Sequence, residues 1–259
     1  MIANDTKLNR LPEAGAGFVW EPDEGDGSAP VLRPQAEGVV AAFTTRLGGV
    51  SSAPYDEMNL SFRVGDDEGS ARTNRELAGR SVGSSGRWSV VRQVHGVDVV
   101  PAQAPGSLPT ADGQWTADPA RTLAVLGADC VPVLLVGDRR VAVVHAGWRG
   151  LVAGVIERAV DAMGGQPAIY GGPSIGPCCY EVGADVSASF TTRFGAGVMA
   201  EGVRLDLWAA AKEAALSAGA ASFAAAHICT SCHPHFFFSH RRDGGRTGRQ
   251  ALLARLSDG

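Results

Sequence analysis

The stretch LAVLGADCVPVLLVGDRRVAVVHAGWRG, residues 123–150, decides the fold. It contains three short apolar runs that are typical of buried strands, at residues 123–126, 132–136 and 141–144. The Gly137-Asp138 pair predicts a hairpin between the second and third runs. After residue 150 the apolar residues recur at helical spacing, so the stretch predicts strands followed by a tight turn and a helix.

The flanking sequence continues this alternation of strands and helices. Apolar runs predict three further strands, at residues 39–43, 88–91 and 223–228. Helical patterns occupy residues 69–79 and the alanine-rich residues 205–219. Strands that alternate with helices predict an α/β sandwich around a mixed sheet.

Two regions are expected along the chain. Residues 1–37 mix glycine, proline and acidic residues with little periodicity, which predicts a loose N-terminal arm with one strand near residues 18–20. Residues 38–259 contain no repeat, low-complexity segment or clear linker, so we expect them to form a single catalytic α/β domain.

The composition narrows the functional class. With 45% hydrophobic and 19% charged residues, the 259-residue chain has the balance of a globular protein with a substantial core. Its net charge of -4 provides no general positive field, so we expect a small-molecule substrate and neither nucleic acid nor a membrane as partner. The first residues lack a secretory pattern and no apolar run could span a bilayer, which predicts a cytoplasmic protein. We expect a monomer.

The five cysteines do not suit a disulfide framework. Their number is odd, and a disulfide between the adjacent Cys178 and Cys179 would be strained. We interpret this pair, in a glycine- and proline-rich loop, as turn and core residues. Cys229 and Cys232 form a Cys-x-x-Cys followed by His233 and His235, which indicates either a second metal or redox site, or two thiols at the end of a strand beside exposed histidines.

Polar clusters follow four of the predicted strands, at residues 43–51, 93–96, 128–132 and 145–150. In open α/β sheets such strand ends meet at one crevice. His95, Cys130 and His145 would then offer two imidazoles and one thiolate, a set that suits Zn²⁺ and leaves its fourth tetrahedral position open. Their spacings of 35 and 15 residues match no compact structural zinc motif. A core cysteine and hydrogen-bonded core histidines therefore remain the alternative.

Seven blocks in a fixed order give a more specific resemblance. They are FTTR with GGVS (residues 43–51), Asn59-Leu60, QVHG (93–96), ADC (128–130), VHAGWRG (144–150), GPSIGPCCY (172–180) and FFSHRRD (237–243). Together they resemble the bacterial peptidoglycan editing factor family, also called multicopper polyphenol oxidase or laccase-domain proteins. The matching blocks extend from about residue 38 to residue 250, and each block is weak by itself.

This resemblance implies a fold, a metal and several activities. The fold would be similar to a cysteine-hydrolase-like α/β sandwich, with zinc on His95, Cys130 and His145. The implied activities are purine nucleoside phosphorylase, adenosine deaminase and the editing of cell-wall precursors. Blue-copper oxidases need several cupredoxin domains and many paired histidines, whereas this chain has six histidines and one His-x-His. We therefore expect zinc and not copper.

Several polar residues of these clusters are candidates for substrate binding. Arg46, beside the Gly48-Gly49 pair, and Arg149, in the turn that opens a helix, could hold phosphate or a substrate carboxylate. Each could instead be a surface arginine or pair with a structural carboxylate. Asn59 and Gln93 could hydrogen-bond a base or ribose, although asparagine before an apolar residue is often a turn or cap.

Other residues have two interpretations as well. Asp129 could act as general base, orient a zinc-bound water, or support a histidine. Trp148 could cover the site or simply pack. A basic run could meet phosphate, or form a solvated face, through Arg241, Arg242, Arg246 and Arg249.

Three hypotheses follow for the function. The first is a zinc enzyme acting on nucleosides by phosphorolysis or deamination. Deamination would need an unfamiliar scaffold, because the deaminase pattern of His-x-Glu with Pro-Cys-x-x-Cys is absent. The second makes Cys130 a nucleophile and His145 its base in an amide hydrolase that removes a wrong amino acid from a nucleotide-linked muramyl precursor. The third is a non-catalytic protein that binds a metal or metabolite.

Overall fold

Eleven strands form two sheets in the part of the chain that the structure, a computed structural model, describes: residues 10–22 and 29–257. The strands are β1 (Phe18–Glu21), β2 (Val31–Pro34), β3 (Val39–Thr44), β4 (Val99–Pro101), β5 (Gly113–Thr116), β6 (Leu123–Gly127), β7 (Val131–Val136), β8 (Val141–Ala146), β9 (Ala168–Gly171), β10 (Ser222–Ala225) and β11 (Gln250–Leu256). One sheet has the order β1-β2-β3-β11-β6 and is antiparallel. The other has the order β10-β9-β7-β8-β5-β4 and is mixed.

Five α-helices accompany the sheets within the described residues. They are α1 (Glu68–Arg80), α2 (Trp148–Ala153), α3 (Val155–Met163), α4 (Ala184–Phe194) and α5 (Leu207–Ser217). The Asp67 carboxylate caps α1 by accepting the Ser70 N–H, and Asp206 caps α5 in the same way. The single helix predicted after residue 150 is divided into α2 and α3 at Gly154, whose φ of 101° suits glycine. None of the helices described is long and apolar enough to cross a membrane.

The elements form four layers: α3 and α5, the six-stranded sheet, the five-stranded sheet, and α1. Side chains that alternate along the strands fill the space between these layers. In β8, Val141 and Val143 face the core between the two sheets, while Ala142 and Val144 face α3 and α5. In β11, Leu252 likewise points between the sheets, whereas Leu253 packs toward α1. Period-two alternation with apolar residues on both faces is what a sheet covered on both sides requires. The predicted α/β sandwich is confirmed, with two sheets where one mixed sheet was expected.

The central strands and the two helices predicted outside residues 123–150 are present, while two other expectations need correction. Residues 88–91 form no regular strand, because Ser89 exchanges backbone hydrogen bonds only with Thr122 and Ala124 at an isolated bridge. Strand β1 confirms the strand predicted near residues 18–20, whereas β2 is a second strand inside the predicted loose arm that was not expected. They join the sheet because apolar side chains such as Leu32 are buried between the sheets. Residues 1–9 and 23–28 of that arm, and 258–259 of the predicted domain, lie outside the described residues.

Candidate functional site

His95, Cys130 and His145 meet at one end of the two sheets. Cys130 lies in the turn between β6 and β7, His145 is in β8, and His95 is in the loop before β4. Their potential ligating atoms lie within 4.8 Å of one another, with 3.8 Å between Cys130 Sγ and His95 Nε2. His145 is buried, Cys130 is half-buried and His95 is exposed. The group is therefore buried at His145 and reaches the protein surface at His95.

Asp112, which the sequence did not indicate, fixes two of these three residues. It is fully buried, and its Oδ1 lies 2.9 Å from His145 Nδ1. The same carboxylate accepts the backbone N–H groups of Val94, His95 and Gly96. A histidine whose Nδ1–H is held by a carboxylate presents Nε2 to a metal or a thiol. Asp112 thus orients His145 and holds the loop that carries His95.

The backbone around the trio is specialised. His95 has a φ of 60° and Asp129 a φ of 89°, in the left-handed region that residues other than glycine rarely adopt. Gly147 faces the site, and a Cβ there would lie 2.6 Å from His95 Cδ2 and 3.2 Å from Cys130 Sγ. A side chain at this position would occupy the space among the three residues, so the glycine of the HAGWRG block is required by close approach.

Cys130 and His145 favour a thiolate and an imidazolium when no metal is bound. Burial opposes ionisation of the thiol, but the charge of His145 and hydrogen bonds from His145 and His95 lower the pKa of Cys130 to about 6. Burial likewise opposes protonation of His145, but the Cys130 thiolate and the Asp112 carboxylate raise the pKa of His145 to about 9. Burial also opposes ionisation of Asp112, yet hydrogen bonds from His145 and the backbone lower its pKa. The site therefore stabilises a reactive thiolate.

The trio opens into a large basic pocket of about 1210 Å³. Among the described residues that line it, carboxylates come only from Glu76 and Asp129. Seven arginines line it as well: Arg63, Arg72, Arg75, Arg87, Arg149, Arg241 and Arg249. A concave surface with such an excess of cations concentrates anions, although the whole chain has a net charge of -4.

Three of the residues predicted to bind or convert substrate line this pocket: Gln93, Asp129 and Arg149. Gln93 exchanges two hydrogen bonds with the backbone of Leu126, so its amide joins the loop to β6. Both oxygens of Asp129 are engaged, one by the Thr230 hydroxyl and one by the backbone N–H of Arg241. Asp129 therefore anchors the pocket wall. The exposed Arg149 stacks on Trp148, with 4.3 Å from its guanidinium carbon to the ring centroid.

Arg46 and Asn59 are not brought to the pocket. The Arg46 guanidinium hydrogen-bonds the carbonyls of Asp56 and Pro234, pairs with the Asp56 carboxylate and lies over the Phe238 ring. Asn59 is fully buried, and its side-chain oxygen accepts the backbone N–H of Arg249. A position in a strand-end cluster does not by itself bring a side chain to the crevice: the Arg46 guanidinium is satisfied by the Asp56 and Pro234 carbonyls and paired with the Asp56 carboxylate. Asn59 does not line the pocket itself, but it holds the backbone of Arg249, which does.

The remaining candidates are divided in the same way. Of the basic run, Arg241 and Arg249 line the pocket, whereas Arg242 pairs with Asp243 and Arg246 is exposed. Burial lowers the pKa of Arg249, while the negative charges of Cys130 and Asp129 oppose this shift. Tyr180 and Trp148 also line the pocket, and burial together with the Cys130 charge raises the pKa of Tyr180 to about 12. Tyr180 was missed because a single tyrosine at the end of the GPSIGPCCY block has no distinctive spacing.

The donor set fits a divalent transition metal. Two ligands on one tetrahedral Zn²⁺, with bonds of 2.0 to 2.3 Å, lie about 3.6 Å apart. The 3.8 Å between Cys130 Sγ and His95 Nε2 is close to that value. Asp112 supplies the carboxylate that metal-bound histidines commonly have behind them. The open side of the trio leaves a coordination position for a substrate or water.

Comparisons with known proteins identify the family of this chain. Residues 40–257 match the family described as multi-copper polyphenol oxidoreductase laccase. A protein of Xylella fastidiosa named purine nucleoside phosphorylase is 40% identical over 244 residues, which cover 85% of this chain and 94% of the relative. The Escherichia coli protein named purine nucleoside phosphorylase YfiH is 36% identical over 231 residues, which cover 84% and 94%.

Solved structures give the same result for the fold. A crystal structure of a Neisseria meningitidis protein has a TM-score of 0.82 and 33% identity, with 93% of this chain and all of that chain covered. A Bacillus licheniformis hypothetical protein called YfiH has a TM-score of 0.84 and 28% identity, with 92% and 99% covered. The resemblance on the seven sequence blocks is therefore confirmed over nearly the whole length of both structures.

Proposed function

Since this chain belongs to the family described as multi-copper polyphenol oxidoreductase laccase, whose relatives include proteins named purine nucleoside phosphorylase, we propose that it cleaves purine nucleosides with phosphate at a zinc site. The observation that carries the proposal is the trio of His95, Cys130 and His145 at the base of an arginine-lined pocket. A nucleoside, a phosphate and a metal can all be accommodated there. The proposed enzyme is a transferase that acts on a small molecule.

The metal would be held by the two imidazoles and the thiolate of this trio. A bound Zn²⁺ supplies a Lewis acid that polarises an oxygen of a bound group or lowers the pKa of a bound water. Asp112 keeps the Nδ1 proton on His145, so that Nε2 is the nitrogen available for the metal. Zinc is preferred to copper in this proposal because the site has a borderline-soft donor set and one open position.

Phosphate would be bound by arginines of the pocket. Arg149 meets no carboxylate among the described residues, and Arg249 donates only to the carbonyls of Thr247 and Gly248 from its guanidinium. Both can therefore give charge-assisted hydrogen bonds to an anion. In phosphorolysis a phosphate oxygen forms the bond to the anomeric ribose carbon as the glycosidic bond breaks. The purine leaves with that electron pair and takes a proton from solvent.

Aromatic side chains suit the purine. Trp148 and Tyr180 line the pocket beside the arginines and offer ring surfaces on which a purine can stack. Tyr180 keeps its proton at neutral pH and can donate a hydrogen bond. The deaminase activity and the editing of cell-wall precursors that the family resemblance implies would use this same pocket, and the arginines are compatible with a nucleotide-linked precursor.

A second candidate is an amide hydrolase, and one specific arrangement favours it. Asp112, His145 and Cys130 form a carboxylate, imidazole and thiol in sequence, with the pKa of the thiol lowered. This is the order in which an orienting acid, a base and a nucleophile stand in a cysteine hydrolase. In this alternative the thiolate attacks an amide carbonyl, the amine leaves with a proton from His145, and water releases the acyl group.

Turnover with and without metal separates these candidates. Zinc-loaded protein should release purine base and ribose 1-phosphate from inosine or adenosine only when phosphate is present. Chelation and Cys130→Ser should both abolish that release. Asp98→Asn, which changes an exposed carboxylate near the site loop, is the control and should release the base like wild type. Phosphate-independent release of ammonia from adenosine would assign deamination. If metal-free protein cleaves an amide substrate and alkylation of Cys130 ends that activity, the hydrolase replaces the phosphorylase.

A further inference from the structure

The other four cysteines of the chain also lie together. Cys178 and Cys179 belong to the loop that follows β9, and Cys229 and Cys232 belong to the loop that follows β10. The sulfur atoms of all four lie within 4.8 Å of one another. Cys232 Sγ is 3.4 Å from both Cys178 Sγ and Cys179 Sγ. The sequence predicted turn and core residues for one pair and left a metal site open for the other, and it did not connect the two pairs.

Backbone hydrogen bonds, together with one contact to a cysteine sulfur, hold the two loops in this arrangement. Ser174 donates its N–H to the carbonyl of Ile228 and accepts the N–H of Thr230. The Gly176 N–H donates to Cys229 Sγ at 3.2 Å, a contact that suits a sulfur acceptor. Because these bonds fix both loops, the four thiols are gathered before any ligand arrives, which lowers the entropy cost of binding one.

The spacing of the thiols suits one tetrahedral ion. Four sulfurs bound to Zn²⁺ at about 2.3 Å lie about 3.8 Å apart, which is near the separations found here. A disulfide requires about 2.05 Å between sulfurs, would use only two of the four and would leave the others unexplained. Four soft donors with no oxygen ligand among them favour zinc over calcium or magnesium.

We propose that Cys178, Cys179, Cys229 and Cys232 bind a second Zn²⁺ ion as a structural site. Each thiol would release its proton to solvent and donate a thiolate lone pair to the metal. Four protein ligands complete the tetrahedron, so this site has no open position and performs no chemistry. It differs in this respect from the trio of His95, Cys130 and His145.

The position of the cysteine site gives it a structural role. Tyr180 directly follows Cys179 and lines the pocket, and Thr230 directly follows Cys229 and donates to the Asp129 carboxylate. An ion shared by the two loops would fix this part of the pocket wall. It would also link chain segments about 50 residues apart, and because the four thiols are gathered only in the folded chain, binding of the ion would stabilise the fold.

The test measures zinc in the full-length protein with each site removed separately. Elemental analysis after purification without added metal should give about two zinc ions per chain, and about one for Cys130→Ser. Cys178→Ser with Cys232→Ser, both at exposed positions, should also leave about one ion, and combination with Cys130→Ser should leave none. His235→Ala is the matched control, because this exposed histidine lies on the same loop outside the group of four.

Cobalt and thermal unfolding give readouts that do not depend on activity. Cys130→Ser protein loaded with Co²⁺ should show an intense thiolate-to-cobalt charge-transfer band and tetrahedral visible bands, and its thermal midpoint should fall when a chelator is added. The proposal is overturned if wild-type protein holds one ion that Cys130→Ser removes, or if thiol titration finds a disulfide among the four cysteines. It is equally overturned if the double serine variant folds and keeps both ions.

Discussion

Asp112→Asn tests the claim that one buried carboxylate positions two of the three proposed ligands. In the structure Oδ1 of Asp112 accepts from His95 N–H and faces His145 Nδ1, and Oδ2 accepts from the N–H groups of Val94 and Gly96. Asparagine has nearly the same shape but only one acceptor oxygen. Its NH₂ group would therefore face either the backbone N–H groups of Val94 and Gly96, or the His95 N–H and His145 Nδ1, depending on how the amide is turned.

The size of the effect follows from these contacts. Each backbone N–H group that loses its acceptor costs about 1 to 3 kcal/mol, and one or two of them do so, so the loop of residues 94–96 should be destabilised by about 1 to 6 kcal/mol. Loss of a carboxylate behind a metal-bound histidine typically costs about 10- to 100-fold in metal affinity. We expect Asp112→Asn to weaken Zn²⁺ binding by at least that factor, or about 1.4 to 2.8 kcal/mol.

Competition with a chromophoric chelator would measure this affinity directly. Asp98→Asn is the matched control, since it makes the same change at an exposed carboxylate two residues beyond the loop, and it should bind zinc like wild type. Circular dichroism would confirm that both variants fold. The reasoning is refuted if folded Asp112→Asn protein retains wild-type zinc affinity together with wild-type reactivity of Cys130, because no other buried carboxylate contacts His145 among the described residues.

Three further predictions address the same site. Cys130 in zinc-loaded protein should resist alkylation, and chelation should make it reactive. Equal labelling in both states would show that this thiol is not a metal ligand. In chelated protein the alkylation rate should increase with pH through about 6, because the thiolate is the reactive form and is lost below that pH; an increase through about 8.5 would mark an ordinary thiol. Arg249→Ala should raise the KM for phosphate by about 10- to 100-fold, because it removes a charge-assisted hydrogen bond to the anion. Arg246→Ala and Arg46→Ala should leave this KM unchanged. A large increase in the KM for phosphate in Arg46→Ala would contradict the observed position of that side chain.

The fold could be predicted where apolar patterning is strong. β6, β7 and β8 carry nearly continuous apolar runs, since both faces of these strands are covered. β5 is different, because its sequence GQWT offers no such run although three of its four residues are buried. Its Gln114 side chain is satisfied by the carbonyls of Ser89 and Ala124, contacts that depend on tertiary structure. The local apolar pattern therefore identifies the central strands of the sheets. It does not identify β5, the strand that directly follows Asp112 in the chain.

The site could be predicted as a set of residue types and not as a set of contacts. His95, Cys130 and His145 can be named from the sequence because all three are metal-binding residue types at the ends of predicted strands, although core residues of the same types remained the alternative until the family resemblance was considered. For Arg46 the sequence leaves two interpretations open, an anion site beside glycine or a pair with a structural carboxylate, and it does not reveal that the Asp56 and Pro234 carbonyls and the Asp56 carboxylate satisfy it. Asp112 was missed for the opposite reason. A buried aspartate is recognised by its hydrogen-bond partners, and these are 16 to 33 residues away in the chain.

His95 is the residue that separates the two proposed chemistries. A cysteine hydrolase needs Cys130, one histidine and an orienting acid, and Asp112 and His145 already supply the last two. His95 would then only support the thiolate through a hydrogen bond, with its imidazole 3.8 Å from the thiol, yet its backbone keeps a φ of 60°. A residue other than glycine in that conformation costs about 1 kcal/mol or more, and it persists only where surrounding contacts impose it. Three hydrogen bonds from the loop to Asp112 do so here. A metal site uses His95, Cys130 and His145 alike as ligands and so gives the strained loop a purpose, whereas in the hydrolase His95 only adds a hydrogen bond to the thiolate.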